Sequence, residues 1–330
     1  IIAMSEYKGI KGFQVQTRSE DPGPTEAQTG DFYYNSSTGQ FKTVNTGGAS
    51  IGTWASISAM PGGGTYDGGS MGTSTDNLIA GGYESSTLAT SWKWNGTSWS
   101  SPAGNLNTAR YGPGGSGSTT AGIIFGGYPS FTGTESYNGS AFTEVNNMNT
   151  GRHTVRGLGA SGSAIYATGG QPYTNKVESW DGTSWTETTD FNTARGNHGA
   201  QGSTTAGIIF GGQTPSVTAN TETWDGSSWT EVNNLNTARR LAGSGTSTLA
   251  LGYGGYETPS SAHSDKTEAW DGTSWTEVAD LATRKYGTSN TPLGTANAAL
   301  AGGGQPTGTD QSISEEWTAA DFEIKTVTTS

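Results

Sequence analysis

The chain has no cysteine among its 330 residues, which excludes disulfides, thiolate metal ligands and thiol nucleophiles at once. That zero fits either redox compartment and so says little about location. Charge is also scarce, at 13% of residues, and positive charge scarcer still: 16 Lys and Arg stand against 28 Asp and Glu, for a formal net charge of −12. Holding phosphates needs a basic patch, and none is visible, so nucleic acid and anionic membrane surfaces drop out as partners. No apolar stretch approaches the 18 residues of a membrane-spanning helix, so membrane insertion is not expected. The opening residues Ile1-Ile2-Ala3-Met4-Ser5-Glu6 carry no signal-peptide core, and export by a standard leader is not expected either. Hydrophobic residues make up only 31%, which beside 53 glycines would on composition alone suggest disorder.

What is present argues the other way. The 11 Trp, 13 Tyr and 9 Phe supply large apolar area per residue, and many recur at fixed positions. An aromatic followed five residues later by another occurs at Trp94/Trp99, Tyr137/Phe142, Trp180/Trp185, Trp224/Trp229, Trp270/Trp275 and Trp317/Phe322, with successive pairs 43, 43, 44, 46 and 47 residues apart. A diglycine keeps the same beat at Gly81-Gly82, Gly126-Gly127, Gly169-Gly170, Gly211-Gly212, Gly254-Gly255 and Gly303-Gly304. Self-similarity at this period marks stacked supersecondary units.

One unit reads strand by strand. A glycine-rich strand follows an approach loop such as Asn236-Thr237-Ala238-Arg239. A buried strand such as Ala206-Gly207-Ile208-Ile209-Phe210 ends in the diglycine. After a variable loop comes a third strand, Thr221-Glu222-Thr223-Trp224, and then an outer strand, Trp229-Thr230-Glu231-Val232. Asn-Gly or Asp-Gly stands between the paired aromatics, at Asn95, Asn138, Asp181, Asp225 and Asp271, and predicts a type I′ hairpin turn there. Four strands per unit, repeated radially, predict a blade of a β-propeller. Outside the repeat, Asp21-Pro22-Gly23-Pro24 breaks the chain, and Phe32-Tyr33-Tyr34-Asn35 with Gln40-Phe41-Lys42-Thr43-Val44 reads as a hairpin.

The apolar run into Gly-Gly, the two spaced aromatics and the downstream Leu/Met-x-x-x-Arg resemble the kelch repeat over residues 54–325. The phrasing Asp-Gly-Thr-Ser-Trp-Thr-Glu-Val, and the leader Tyr7-Lys8-Gly9-Ile10-Lys11 … Gly30-Asp31-Phe32-Tyr33-Tyr34-Asn35, are similar to kelch-like structural proteins of marine tailed-bacteriophage virions. The resemblance implies an all-β fold: a six-bladed kelch-type β-propeller over residues 51–330 behind an N-terminal virion-anchoring segment, residues 1–50. Trp54-Ala55-Ser56-Ile57 makes a seventh candidate outer strand. Either it or Phe322-Glu323-Ile324-Lys325 completes the last blade; the other lies outside the ring or joins the 30–45 hairpin, and a seventh blade is the less favoured count.

Arginine recurs three or four residues after an apolar plug, at Arg110, Arg152, Arg195, Arg239 and Arg284, and glutamate two residues before the third-strand aromatic, at Glu135, Glu178, Glu222, Glu268 and Glu315. Inward arginines on a propeller invite a sialidase reading, with guanidiniums clamping a carboxylate. The first repeat has Gly64 and Trp92 where the two partners are expected, so both are missing together; an Arg–Glu pair within each other repeat is expected instead. A double-mutant cycle on Arg239 and Glu222 is the test of that pairing. Glu144, Glu187, Glu231 and Glu277 on the outer strands read as charges that discourage edge pairing. No carboxylate pair presents itself for glycosidase chemistry. His153, His198 and His263 fall in separate repeats, which makes a zinc site improbable, and no cofactor or metal is expected. Copper oxidases on the kelch scaffold use a cysteine-linked tyrosine that this chain cannot form. The sequons at Asn35, Asn95 and Asn138 fall in turns and read as coincidental.

The loops after each diglycine vary most in length and carry Tyr83, Tyr128, Phe131, Tyr173 and Tyr256. Loops on a rigid scaffold commonly carry binding, and their aromatics are expected either to stack on a glycan or receptor or merely to cover their own blade. The resulting expectation is a non-enzymatic virion structural protein of fibre or appendage type. It would dock on other virion proteins through residues 1–50 and be exposed on the extracellular particle for host attachment and adhesion. A cellular kelch-type interaction module or lectin is the alternative, and a carbohydrate-active enzyme is a more distant one. Head, neck and tail attachment, and a monomer or a trimeric fibre, stay open.

Overall fold

The computed structural model describes residues 15–19, 31–37, 39–45, 52–101, 104–129, 131–258, 262–306, 311–319 and 323–326. The molecule is all-β and β-propeller-like, built of successive antiparallel sheets, and among the described residues its one helical element is the single turn Pro61–Gly63. Five sheets have four strands in chain order. The first comprises Gly69–Gly72, Asn77–Ala80, Ser91–Trp94 and Trp99–Ser100. The second comprises Gly114–Ser118, Ala121–Phe125, Thr134–Tyr137 and Phe142–Val145. The third runs from Arg156–Ser161 to Trp185–Glu187, the fourth from Gly199–Ser203 to Trp229–Val232, and the fifth from Arg239–Gly245 to Trp275–Val278.

The next sheet resolves the open seam. Its strands are Ala298–Ala301, Glu315–Ala319 and Gly52–Ser56, so the outermost strand is supplied from near the start of the chain. Trp54 lies directly opposite Trp317, with ring centroids 5.7 Å apart. The aromatic facing Trp317 across the sheet is therefore Trp54; the expected pair Trp317/Phe322 involves Phe322, which lies outside the described residues. The strand Glu323–Thr326 joins the leader hairpin instead, running antiparallel to Gln40–Asn45 in a separate sheet with Phe32–Asn35 and Gln16–Arg18. Strand pairing thus crosses a boundary at residue 50 once, between Gln40–Asn45 and Glu323–Thr326.

The core is divided into wedges between neighbouring sheets. Ile123, Phe125 and Met148 pack with Ile165, Ala167 and Trp180; Ile208, Phe210 and Leu235 pack with Leu241, Ala250 and Trp270. Leu300 packs against Ile79, Trp92 and Trp94, which joins the last sheet to the first. The innermost strands are glycine-rich because their backbones touch: a Cβ on Gly115 would come within 2.5 Å of the Ser70 carbonyl oxygen, and one on Gly157 within 2.5 Å of the Gly115 carbonyl oxygen. Within each sheet the paired aromatics face one another across the third and fourth strands, at 4.7 Å for Tyr137–Phe142 and 5.3 Å for Trp224–Trp229. The turns between them are not type I′, because only the glycine takes positive φ (96° at Gly226) and the following residue does not. The Asn or Asp side chain does the rest: Asp225 Oδ1 accepts the Ser227 and Ser228 amides at 2.8 Å, and Asn95, Asn138, Asp181 and Asp271 repeat the pattern.

Buried ion pairs fasten each approach loop to the sheet that follows it. Arg110 Nη2 lies 2.6 Å from Glu135 Oε1 and Arg152 Nη1 2.9 Å from Glu178 Oε1, while Arg195 pairs with Glu222 and Arg239 with Glu268. The partner of Arg239 is thus Glu268, and Glu222 holds Arg195. In each pair the carboxylate also accepts the loop asparagine, by backbone amide and side chain together, at Asn107, Asn149, Asn192 and Asn236. Charges removed from water this completely are tolerated because each is paired and each carboxylate accepts further bonds from the loop. Arg284 does not belong to the series. It is exposed and bonds Asp265 at 3.0 Å, while the neighbouring Lys285 is fully buried, 3.6 Å from Glu315. Lys285 is four residues beyond Leu281, the spacing that Arg110 keeps from Leu106 and Arg239 from Leu235. In the first sheet Thr65, and not Gly64, holds the arginine position, since its carbonyl accepts the Gly304 amide as that of Arg110 accepts Gly82. Trp92 fills the glutamate position as a buried indole that donates to the Pro61 carbonyl.

Candidate ligand-binding site at the mouth of the ring

Five of the innermost strands are entered at one end of the ring axis through a left-handed residue, and the fifth sheet has Leu241 in that place without it. Asp67, Gly112, Thr154, Asn197 and Gly287 have φ of 50°, 63°, 51°, 55° and 65°. Their backbones hand hydrogen bonds from repeat to repeat: Asp67 to the Gly287 carbonyl, Gly112 to Asp67, Thr154 to Gly112, Asn197 to Thr154, and Leu241 to Asn197. A β-branched threonine in this region is strained by about 1–3 kcal/mol, and such strain persists only where the surroundings fix it. This belt marks one end of the ring, its mouth, with Asp67, Thr154 and Asn197 buried in it.

Above the belt, two positions of every repeat meet. The residue after the arginine position bonds or bridges to the residue after the diglycine, giving Tyr66/Tyr83, Tyr111/Tyr128, His153/Gln171, Gly196/Gln213, Arg240/Tyr256 and Tyr286/Gln305. The pairing is backbone-driven and therefore indifferent to residue type. On one side of the mouth its side chains form a continuous arc. Ring centroids step from Tyr128 to Tyr111 (4.9 Å), Tyr83 (5.8 Å), Tyr66 (5.6 Å), Tyr286 (5.7 Å) and Tyr256 (5.9 Å). His153 caps one end against Tyr128, and His263 lies 5.1 Å from Tyr286 at the other. All but Tyr128, which is 45% exposed, are half-buried.

Of the loop aromatics expected from sequence, Tyr83, Tyr128 and Tyr256 come together in this arc. Tyr173 stands across from it, within hydrogen-bonding reach of Gln171 (3.4 Å) and within the field of Arg240. Phe131 does not belong: it lies under the Arg110 guanidinium and lines a separate depression of about 250 Å³ with Thr108, Glu144 and Asn147. Tyr66, Tyr111, Tyr286, His153, His263 and Arg240 escaped sequence reasoning. The signal for most of them was the slot following the arginine position, which reads Tyr, Tyr, His, Gly, Arg, Tyr and shows no pattern until the fold pairs it with the diglycine loop. His198, by contrast, is a core residue, hydrogen-bonded to Thr168 Oγ1 at 2.9 Å and held neutral by burial.

The electrostatics of the mouth are unlike those of the rest of this acidic chain. Burial raises the Asp67 carboxyl, opposed by the charges of Arg156, Arg240 and His153. Arg156 Nη2 is 3.9 Å from Asp67 Oδ1, too long for a hydrogen bond, and the guanidinium is buried. Arg240 lies over the Tyr256 ring at 4.8 Å and is ion-paired to no acid among the described residues. Desolvation raises Tyr66, Tyr111 and Tyr286, so their hydroxyls stay protonated and can both donate and accept. Among the described residues no three His, Asp or Glu side chains gather as a metal site would need. The mouth therefore offers ring faces, neutral donors and acceptors, and unpaired positive charge, a set suited to binding. No protein-family model matches this chain, and no curated protein matches it at a significant level.

Proposed function

We propose that the protein is a non-enzymatic adhesion propeller of six blades, kelch-like in its repeat, and displayed on the particle of a tailed phage. In this reading residues 1–50 dock on other virion proteins, and the mouth of the ring takes a host-surface glycan. The aromatic arc from Tyr128 to Tyr256 carries the proposal: six hydroxylated ring faces, five of them half-buried, at one end of a rigid scaffold suit sugar rings that present both C–H faces and hydroxyls. Against catalysis stands the company of Asp67, whose basic neighbours among the described residues are Arg156, Arg240 and His153, with no second carboxylate. Six blades accord with the recurrence of the sheets and with the wedge between Leu300 and Ile79. The test has two arms. Mass spectrometry of purified particles finds this chain if it is a virion component, and its absence ends that assignment. Particles carrying Tyr111→Ala with Tyr286→Ala lose at least tenfold in host adsorption; unchanged adsorption rules out the mouth as the attachment site.

A further inference from the structure

Unmet polar capacity is found at the mouth, as it is at several places in the core. Arg156 Nε, Arg240 Nε and Thr154 Oγ1 are buried atoms without a hydrogen-bond partner, and all three belong to residues at or just above the belt. Buried polar groups are nearly always satisfied, so these three atoms leave bonding capacity beside the tyrosine arc that a ligand can fill. Two guanidiniums, Arg156 and Arg240, act on a single carboxylate, Asp67, which leaves the mouth with excess positive charge inside a chain whose net charge is −12. Arg240 is the accessible one. It rises from the fifth sheet, half-buried, and its charge is felt at Asp67 beside the first sheet, Tyr173 in the third and Tyr286 before the last. Its flat face is already taken by Tyr256, which fixes the guanidinium and leaves its N–H edge to a ligand.

We infer that the mouth selects an anionic sugar, a uronate-type residue whose carboxylate is received by Arg240 while its ring lies on the tyrosine arc. The inference rests on the glycan-binding reading above and narrows it to one charge class. A carboxylate accepts two parallel N–H bonds from a guanidinium edge, a match that no neutral hydroxyl reproduces. Gln171, Gln213 and Gln305, on the same ladder of pairs, supply amides to the sugar hydroxyls. An acidic peptide could satisfy the charge, but it would leave an arc of six hydroxylated rings without matching hydroxyls. The observations favour the sugar.

The experiment is isothermal titration of the full chain with uronate tetrasaccharides (galacturonate, glucuronate and mannuronate) and with the methyl-esterified form of each, which keeps the ring and removes the charge. At least one free uronate is expected to bind at least tenfold more tightly than its ester, and Arg240→Gln to abolish that preference while Arg240→Lys keeps part of it. Circular dichroism and melting of both variants check that the fold is intact. Equal binding of acid and ester, or a preference unchanged in Arg240→Gln, overturns the inference while leaving a glycan-binding mouth standing. Failure of every saccharide to bind overturns both, as does binding of a poly-glutamate peptide alone.

Discussion

The pairing of Arg239 with Glu268 can be tested to the level of a single coupling energy. In Arg239→Met the carboxylate of Glu268 keeps the Asn236 amide at 2.6 Å, the Asn236 side chain at 2.9 Å and the Thr237 amide at 3.3 Å, so its negative charge stays solvated by donors. Removing one partner of a buried pair costs about 3–5 kcal/mol, and this variant belongs at the lower end, about 3. In Glu268→Gln the guanidinium keeps the carbonyls of Gly252, Gly254 and Thr237, each at 3.1 Å, but has no counter-charge, and about 4 kcal/mol is expected. The double variant leaves neither charge stranded and should lose only about 4–5, which puts the coupling at roughly 2–3 kcal/mol. Urea denaturation of the four proteins, with matched slopes, supplies the numbers. The control is the same cycle on Arg239 and Glu222, residues that serve different pairs and should add within about 0.5 kcal/mol. A coupling below about 0.5 kcal/mol for Arg239/Glu268, or one as large for Arg239/Glu222, would refute the account of how the approach loops are fastened.

Two further outcomes follow from the last sheet. Trp54→Ala removes the edge contact with Tyr253 (5.0 Å), the packing on Trp317 and the bond to Thr267 Oγ1 (2.9 Å), and should cost about 2–4 kcal/mol and open residues 52–56 to proteolysis; a loss under about 1 kcal/mol would mean the seam is held elsewhere. Burial lowers the Lys285 ammonium from 10.5 to about 8, against the pull of Glu315. Between those values the unfolded chain holds a proton that the native lysine has released, so stability climbs with pH from about 8 to about 10.5, by at most about 1.4 kcal/mol per unit. Urea midpoints measured across that window should lose the climb in Lys285→Met with Glu315→Gln; an identical climb in the double variant would show that another group causes it.

The sequence carried the scaffold more legibly than the site. Aromatic spacing, diglycines and the Arg–Glu recurrence are fixed by packing that every repeat must satisfy, so they appear as periodic residue types. Registration failed by one residue at Lys285 and Thr65, on either side of the seam, where the repeat carries a lysine and a threonine in place of arginine. The correct closing strand was visible as Trp54 but could not be chosen over 323–326, because both are short strands able to pair at an edge. The mouth was harder to see. Its members Tyr66, Tyr111, Arg240 and Tyr286 share a backbone environment and no chemistry, so only three dimensions reveal them as one set. The turns illustrate a smaller lesson: Asp-Gly supplied the positive φ, but the carboxylate's capture of two amides moved the geometry away from type I′.

The strand Gly52–Ser56 precedes every other strand of the ring in synthesis, yet its place is beside residues made at the far end of the chain. Trp54 reaches a partner 213 residues away in sequence, so the growing chain must carry an unpaired five-residue edge until Glu315–Ala319 emerges. Such an edge does not distinguish its own last sheet from that of a neighbouring copy. Crowded on one assembling surface, copies could lend this strand to each other and become linked in series by the same five residue pairs that shut the single ring. The closure that makes one molecule self-contained is also a ready-made rule for threading many together.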